Sequence, residues 1–339
     1  MKTETQIQSF IIDNLSKHQR DIIKAAIRKF GISRQAILKH MNTLIRDKKV
    51  VAYGKTKDRY YELEPILNYS RLVEISKMAK VGQFLQNEIM PNLKKLPKNI
   101  FELCDFALNA LLTNVFDHSG ATHFSVKVFS TQKETHVVVM DNGSGIFQHI
   151  RDGLGLEGKT ISAIELAKGT SLGIQTDNHA GDDLHAVIML FDIITIDSSE
   201  ISLCYEKKMD RWSLGESKQA KGTKIHLRVS TKSNVSCDNT FAKIFDKENI
   251  NLRIPVNLAR TNGELLVSRY QAQKLMHNIE LSKGITFDFK GIKMIGPAFA
   301  HELVWIIRKK NLSLDIDWIN AEKTVDLLMS RAKNRLINN

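Results

Sequence analysis

Apolar residues recur along this chain with two different periods, and the change of period separates predicted helices from predicted strands. Between Glu102 and Ser119 an apolar residue returns every four positions, which predicts a helix with one buried face. Two short strand-like runs follow, His123–Phe129 and Thr135–Met140. The second is rich in valine and ends abruptly at Asp141, where two spaced glycines begin. An apolar strand that leads into an acidic residue and spaced glycines favours a loop whose backbone approaches a ligand closely.

Two polar residues in this stretch carry chemical meaning. Asn114 lies in the middle of the predicted helix, where a short amide is a poor helix former. Asp141 lies at the end of a buried strand, where a carboxylate needs a hydrogen-bond donor. Each also has an ordinary structural interpretation, Asn114 as a helix-end polar residue and Asp141-Asn142-Gly143 as a simple turn.

In this order, the helix and the strand end resemble the GHKL superfamily, which contains gyrase B, heat-shock chaperone, histidine kinase and MutL ATPases with the Bergerat nucleotide fold. The resemblance covers roughly residues 75–230. It rests on NVFDHS at Asn114–Ser119, on an Asp-x-Gly-x-Gly motif at Asp141, Gly143 and Gly145, and on Lys221–Thr223 before the strand KIHLRV.

The resemblance implies ATP and Mg²⁺ as ligands. In the family, the helix Asn holds Mg²⁺ against the phosphates, the Asp accepts a hydrogen bond from the adenine amino group, and a late Gly-Thr pair contacts phosphate. Carried over to this sequence, Asn114 is the metal residue. The residues implied to bind nucleotide are Asn114, Asp117, Asp141, Gly143, Gly145, Gly181, Leu184 and Thr223.

One departure from the family affects catalysis. Four residues before Asn114, where the family has a glutamate that activates water, this chain has Ala110. Alanine cannot take a proton, so hydrolysis should lose most of the ~10²–10⁴-fold that a positioned base contributes. Either this member binds ATP without turning it over, or Ala110 is a substitution made to trap ATP. The intact motif around it favours the second explanation.

A second departure concerns the glycine-rich segment at the start of a later helix. The best match, His179–Leu184 (HAGDDL), keeps Gly181 and Leu184 but adds two carboxylates that would repel a triphosphate. An alternative is a mononuclear metal site, although helical spacing would spread its ligands over different faces. Its candidate ligands are His179, Asp182, Asp183 and His185.

A rival phosphate site, Gly153–Thr160 (GLGLEGKT), satisfies the P-loop pattern in full. A P-loop leaves a buried strand and opens a helix, so that amides and the helix dipole meet the phosphate. A helix is predicted to follow, but Gln148–Asp152 before the motif is not a buried strand. The GHKL interpretation, in which this run leads into the ATP lid, is therefore preferred.

Residues 1–65 are basic, with 14 Lys and Arg against 7 Asp and Glu, whereas the whole chain has a net charge of +12. Ser33 is a predicted N-cap after a short turn. The predicted helices are Gln6–Leu15, Gln19–Phe30 and Arg34–Arg46, and the predicted strands are Lys48–Gly54 and Arg59–Leu63.

This arrangement resembles a winged helix-turn-helix DNA-binding domain, with Ser33–Ile45 as the recognition helix and Gly54–Arg59 as the wing. Arg34 and Gln35 would face base edges, because Arg and Gln pair bidentately with guanine and adenine. The alternative is a helical hairpin for protein contacts. The residues suited to phosphate are Lys39, Lys55, Lys57 and Arg59.

Asn68–Leu96 has a helical pattern that predicts a link to the nucleotide domain, and Ser230–Asn251 loses periodicity, which indicates a boundary. Beyond it, strands alternate with helices, as in an α/β domain. The predicted strands are Arg253–Leu258, Glu264–Ser268, Ile285–Phe289 and Leu312–Ile319, and the predicted helices are Arg269–His277, Ala298–Arg308 and Ala321–Lys333.

The run Ile285–Leu303 resembles the middle of STAS domains, and more closely a STAS-like domain of unknown function found after bacterial ATPases. In anti-sigma antagonists the corresponding loop carries Asp-Ser and is phosphorylated by a GHKL kinase. Here Ile295–Ala298 (IGPA) has no hydroxyl, so phosphorylation within the chain is not expected. The loop is either a docking surface or a plain structural connection.

Composition is ordinary for a soluble globular protein, with 42% hydrophobic and 25% charged residues among 339. No apolar run reaches the ~18 residues of a membrane span, and Met1–Glu4 opens no signal peptide, so no membrane partner is expected. Cys104, Cys204 and Cys237 show no CxxC spacing, which predicts a cytoplasmic location and no structural zinc.

The sequence therefore predicts an α+β protein with a winged helix over 1–65, a Bergerat-fold α/β sandwich over 75–230 and a small STAS-like α/β domain over 250–339. The leading hypothesis is an ATP-gated DNA-binding regulator. Its expected partners are double-stranded DNA and a protein bound by the STAS-like domain, and a second copy of the chain is a further candidate. The alternatives are a serine/threonine kinase of the anti-sigma type acting on a separate protein, and a DNA-manipulating GHKL ATPase, for example in phage defence.

Overall fold

The computed structural model describes residues 4–77, 80–169, 180–235, 251–260, 264–277, 279, 284–310 and 314–337, and within these ranges the strands pair into three sheets. The strands are β1 (Val50–Tyr53), β2 (Tyr60–Leu63), β3 (Leu67–Glu74), β4 (His123–Ser130), β5 (Glu134–Asp141), β6 (Ile193–Ser198), β7 (Ile201–Glu206), β8 (Arg211–Glu216), β9 (Thr223–Ser230), β10 (Asn251–Pro255), β11 (Gly284–Asp288) and β12 (Asp315–Ile319). The helices are α1 (Glu4–Asn14), α2 (Ile22–Phe30), α3 (Arg34–Arg46), α4 (Val81–Phe84), α5 (Lys98–His118), α6 (Ile146–Leu154), α7 (Lys159–Lys168), α8 (Ala180–Leu190), α9 (Arg269–Leu275), α10 (Pro297–Lys309) and α11 (Lys323–Ile337).

Helices α1 to α3 and the antiparallel hairpin β1–β2 form a unit with its own hydrophobic core, in which Ile11, Ile37 and Leu44 are fully buried. Ser33 begins α3 as predicted, because its side-chain oxygen accepts a 3.2 Å hydrogen bond from the backbone N–H of Ala36. The helices and strands predicted for this segment are present in the predicted order.

The strands β3 to β9 form a seven-stranded sheet with the order β3-β4-β5-β9-β6-β7-β8, and each neighbouring pair is antiparallel. Alternate residues of each strand are buried, as in β5, where Val137 and Val139 face the core and Met140 is exposed. The long helix α5 packs against β5 and α8. The result is a layer of helices on one face of a sheet.

The sequence predicts a helical link over Asn68–Leu96, and the first part of that prediction is wrong. β3 is an edge strand that pairs with β4 along its whole length, from Leu67 opposite Ser130 to Glu74 opposite His123. Pairing with a distant strand outweighs a weak helical pattern, because local propensity yields to tertiary context. The sheet therefore begins at residue 67, and short helical turns follow over 81–93.

The strands β10, β11 and β12 form a parallel sheet in that order, and helices separate them along the chain as predicted. Two of the predicted strands differ from the strands in the structure. Glu264–Ser268 contributes a single parallel bridge, between Leu266 and Ile295, instead of a strand. The strand predicted over Arg253–Leu258 ends at Pro255, after which the chain makes a 3₁₀ turn.

The large sheet and the C-terminal sheet share one hydrophobic core, and α7 lies between them. Every residue of α7 from Ile161 to Lys168 is buried. Lys168 and Glu165 form an ion pair of 2.5 Å with both side chains inaccessible to solvent. The Lys168 Nζ also donates a 2.8 Å hydrogen bond to the carbonyl of His277, which follows α9. This lysine therefore joins the sheet domain to the C-terminal domain.

Candidate functional site

The residue predicted to receive adenine, Asp141, ends β5 at the edge of the core. It is 7% exposed, and its carboxylate accepts a 2.8 Å hydrogen bond from the backbone N–H of Gly143. Burial raises the pKa of the Asp141 carboxyl, and the backbone donors of Gly143 and Thr223 oppose that rise. A carboxylate has about four acceptor sites, so Asp141 has capacity for a further donor from a ligand.

Glycine is required in the predicted motif because the backbone of other segments comes close to these positions. A Cβ atom on Gly143 would lie 2.2 Å from the carbonyl oxygen of Ser119, at the end of α5. Gly222 has φ +72°, and a Cβ there would lie 2.1 Å from the carbonyl oxygen of Asp141. The end of α5, the loop after β5 and the start of β9 therefore meet at one point, and any side chain at these glycines would separate them.

Thr223 also lies where α5, the loop after β5 and β9 meet. It is buried, and its Oγ1 accepts a 2.8 Å hydrogen bond from the backbone N–H of Ile146, the first residue of α6. Its backbone N–H supports the Asp141 carboxylate. The structure thus places Thr223 beside Asp141, and its contact with phosphate stays a prediction.

Two serines, Ser198 and Ser199, also pack against this loop. Neither is a candidate site residue in the sequence analysis. Ser198 ends β6 and donates a 2.9 Å hydrogen bond to the carbonyl of Gly222. Gly145, with φ +96°, packs so closely that a Cβ on it would lie 2.6 Å from the Ser198 Oγ and 3.4 Å from the Ser199 Oγ. Only the non-local pairing of β6 with β9 brings these hydroxyls here. No local sequence pattern predicts this pairing.

The helix α5 carries the remaining predicted residues. Ala110, Asn114 and Asp117 are spaced by four and three positions, so they lie along one side of the helix. Ala110 is buried, Asn114 is half-buried and Asp117 is exposed. Within the described ranges the Asn114 side chain makes no hydrogen bond, so its amide is available to a ligand. The end of this helix contacts the glycine loop, where the carbonyl of Ser119 accepts a 2.8 Å hydrogen bond from the N–H of Ser144.

The glycine-rich segment around Gly181 is described only in part. α8 begins at Ala180, but the side chains of Asp182 and Asp183 and the whole of His179 lie outside the described residues. Leu184 is 3% exposed and belongs to the hydrophobic core. Among the residues whose side chains are described, no group of three or more His, Cys, Asp or Glu is placed to hold a metal ion.

The P-loop pattern does not have the structural context that a P-loop requires. Gly153 and Leu154 are the last residues of α6, and Lys159 is the first residue of α7. A helix therefore precedes the motif where a buried strand is needed, so its amides do not form a strand-to-helix phosphate cradle. This agrees with the preference for the site at Asp141.

The predicted DNA surface is exposed. Arg34, Gln35 and Lys39 of α3 all face solvent. In the loop between β1 and β2, Lys55 and Arg59 are exposed, and the side chain of Lys57 lies outside the described residues. The exposed side of α3 also carries Asn42 and Arg46, three and seven positions after Lys39.

Comparison with known proteins assigns part of the C-terminal domain. A family model described as a STAS-like domain of unknown function (DUF4325) matches residues 271–326, which confirms the STAS-like prediction for this part of the chain. No curated protein matches the sequence. Among the residues that the structure describes, none of the helices has the length and apolar character needed to cross a membrane.

Proposed function

We propose that this protein is a DNA-binding regulator controlled by Mg-ATP. The observation that carries the nucleotide part is the junction at Asp141. There a buried carboxylate with spare acceptor capacity lies among three glycines that let the end of α5, the loop after β5 and the start of β9 pack closely around it. Asp141 would accept from the adenine amino group, with Thr223 beside it. Asn114, whose amide has no partner in the described ranges, would hold Mg²⁺ against the phosphates.

Ala110 limits what this chain does with the nucleotide. It stands one helical turn before Asn114, where the family places its general base, and its methyl side chain cannot accept a proton. The chain as it stands would therefore bind ATP and turn it over slowly at most. Bound nucleotide would act as a ligand that selects a conformation, and a glutamate at this position would restore a reset by hydrolysis.

The DNA part rests on the N-terminal unit and on its short connection to the sheet. Three residues separate Leu63, the end of β2, from Leu67, the start of β3. Within this connection the N–H of Ile66 donates a 2.7 Å hydrogen bond to the carbonyl of Ser130 in β4. A second contact joins the Nζ of Lys133 to the Oγ of Ser16 at 3.2 Å. A change of the sheet domain with nucleotide would therefore reach the exposed face of α3.

The proposal requires that the ATP-bound and free states differ in DNA affinity. We expect salt-dependent binding of double-stranded DNA by the full chain, and a shift of that affinity when Mg-ATP is added. Asp141→Asn is the control, because it should keep DNA binding and lose the shift. Titrations at several salt concentrations test this. Absence of salt-dependent DNA binding in both nucleotide states would remove the regulator.

The STAS-like match favours one second candidate, a kinase of the anti-sigma type that acts on a separate protein. The chain itself offers no phosphate acceptor at Ile295–Ala298, so the substrate would be a different molecule. Incubation with γ-labelled ATP and a cell extract distinguishes the two functions. A labelled protein band that disappears with Asp141→Asn would support the kinase.

A further inference from the structure

The hairpin β1–β2 carries an aromatic pair that the DNA contacts above do not use. Tyr53 and Tyr60 stand opposite each other in the last pair before the loop, with ring centroids 5.1 Å apart and ring planes 20° apart. Tyr53 is 42% exposed. A cross-strand aromatic pair stabilises a hairpin by itself, so the pairing needs no further explanation. The exposure of the outer ring, Tyr53, does need one.

Strand alternation explains which way the pair faces. Val50 and Tyr61, at 2% and 6% exposed, pack into the core of the N-terminal unit. Tyr53 and Tyr60 have the opposite parity in their strands, so they stand on the outer face of the hairpin. Tyr60 is half-buried between its partner and the chain before α2, which leaves Tyr53 as the outermost ring of the stack.

Two basic residues, Arg20 and Lys55, lie near this aromatic pair. The guanidinium of Arg20 lies 5.9 Å from the centroid of the Tyr60 ring. Lys55, also exposed, follows Tyr53 in the loop by two residues, whereas the Arg59 guanidinium lies 5.4 Å from the centroid of Tyr61 on the other face of the hairpin. A flat exposed ring with cations near it matches the chemistry of a nucleobase, which stacks on the ring while its phosphates meet the cations.

The loop geometry keeps the ring in place. Gly54, directly after Tyr53, has φ +72°, and a Cβ there would lie 2.4 Å from the carbonyl oxygen of Asp58. The loop is therefore closed tightly on itself immediately beside the aromatic pair. A ring fixed in this way loses little conformational freedom when a base stacks on it.

We propose that Tyr53 is a stacking platform for an unpaired base, and that the preferred DNA is a duplex with a single-stranded tail. This rests on the proposed DNA-binding function and names its substrate class. The recognition helix would hold the duplex through Arg34 and Gln35, while the hairpin takes the first unpaired base of the tail.

The test compares two probes of equal duplex sequence, one blunt and one with a short single-stranded tail, by fluorescence anisotropy of the full chain. We expect the tailed probe to bind about tenfold tighter. Tyr53→Leu, which keeps bulk in the hairpin, should remove this preference, and Tyr53→Phe should keep it. Tyr270→Leu is the matched control, because Tyr270 is 65% exposed and has the Lys274 Nζ 4.7 Å from its ring centroid, but lies in the C-terminal domain.

The outcomes separate this inference from the proposed function. Equal affinity for both probes overturns the stacking platform and leaves duplex recognition intact. A tail preference that survives Tyr53→Leu, or that Tyr270→Leu removes equally, also overturns it. Binding of neither probe removes the DNA-binding function together with the platform. A preference lost only in Tyr53→Leu supports the platform, provided that the variant unfolds at the wild-type temperature within a few degrees.

Discussion

The carboxylate of Asp141 accepts a hydrogen bond from the backbone N–H of Gly143, two residues further along the chain, at 2.8 Å. This short contact shapes the loop after β5 and turns the carboxylate toward the junction of β5, β9 and α5. It also uses only part of the acceptor capacity of Asp141, so the same side chain can hold the loop and receive a ligand.

The first prediction follows from these two roles of the Asp141 carboxylate. In Asp141→Asn the amide oxygen can still accept from Gly143, so the loop should keep its shape. The amide NH₂ would face the amino group of adenine, where an acceptor is needed, and a charged hydrogen bond worth about 1.5–3 kcal/mol would be lost. ATP binding should fall below calorimetric detection. Asp152→Asn, at an exposed aspartate of α6, should bind normally, and normal binding by Asp141→Asn would remove the nucleotide assignment.

A second prediction distinguishes this site from the P-loop pattern. Lys159 begins α7 after a helix and a turn, so it lacks the strand-to-helix cradle that would bring its ammonium to the β- and γ-phosphates. Lys159→Ala should therefore reduce ATP affinity by about threefold at most, comparable to an exposed charge contact. Calorimetry of ATP binding to Lys159→Ala and to Asp141→Asn distinguishes the two candidate sites. Loss of binding in Lys159→Ala, with binding retained in Asp141→Asn, would reverse the choice of site.

Sequence reasoning predicts those parts of the fold that depend on nearby residues. The period of α5, the valine-rich strand β5 and the cap at Ser33 are local signals, and the structure places all three within a few residues of the prediction. The same holds for the alternation of strands and helices in the C-terminal domain. Each signal arises from burial or capping within a single element.

The parts that sequence reasoning misses depend on distant pairing. β3 is a strand because β4 pairs with it, whereas the sequence predicts a helix over Asn68–Leu96. Ser198 reaches the Gly222 carbonyl only because β6 pairs with β9, and this puts a hydroxyl close to the loop that follows Asp141. Thr223 lies beside Asp141 because β5 pairs with β9. Register between strands far apart in the chain is set by the whole sheet.

The third prediction concerns the buried ion pair within α7, whose lysine also bonds to the C-terminal domain. Lys168 and Glu165 are both inaccessible to solvent and 2.5 Å apart, so removing one partner leaves a buried charge. Lys168→Ala should lower the free energy of unfolding by about 3–5 kcal/mol, measured by urea denaturation. Lys94→Ala, at an exposed lysine, should change it by less than about 0.5 kcal/mol. The double variant Lys168→Met with Glu165→Leu should recover most of the loss, and an unchanged loss would show that packing, not charge, is responsible.

A fourth prediction concerns pH. His136 and His226 stack on the neighbouring strands β5 and β9, with Nδ1 of the first 3.0 Å from Nε2 of the second. Burial and the neighbouring His136 lower the pKa of His226 from 6.5 to about 4. Between these values the unfolded chain binds a proton that the folded chain does not, so stability should fall as pH falls from 6.5 to 4 and be unaffected above.

Thermal unfolding at several pH values measures this contribution. Other groups also titrate in the same range, so the useful quantity is the difference between the wild type and His226→Gln. The wild-type midpoint should decline more steeply between pH 6.5 and 4, and the two curves should run parallel above that range. Parallel curves over the whole range would show that His226 titrates alike in the folded and unfolded chain.

The last prediction separates two kinds of DNA contact on the N-terminal unit. Arg34, exposed at the start of α3, is placed to pair with a base edge. Arg34→Ala should therefore cost about 1–3 kcal/mol on the preferred sequence and much less on random DNA. Lys55, exposed in the loop between β1 and β2, is suited to a phosphate, which carries no sequence information. Lys55→Gln should weaken all sequences alike and reduce the salt slope by about one.

Anisotropy titrations at three or more salt concentrations, on a preferred and a random duplex, give both quantities. Lys95→Gln is the control, because Lys95 is exposed but belongs to the sheet domain, so its slope and its affinities should equal those of the wild type. The two effects should be separable because sequence preference arises from base edges and the salt slope from displaced counterions. If Arg34→Ala instead lowers the salt slope and weakens both duplexes equally, α3 contacts the phosphate backbone. Sequence recognition would then have to come from another element of the N-terminal unit.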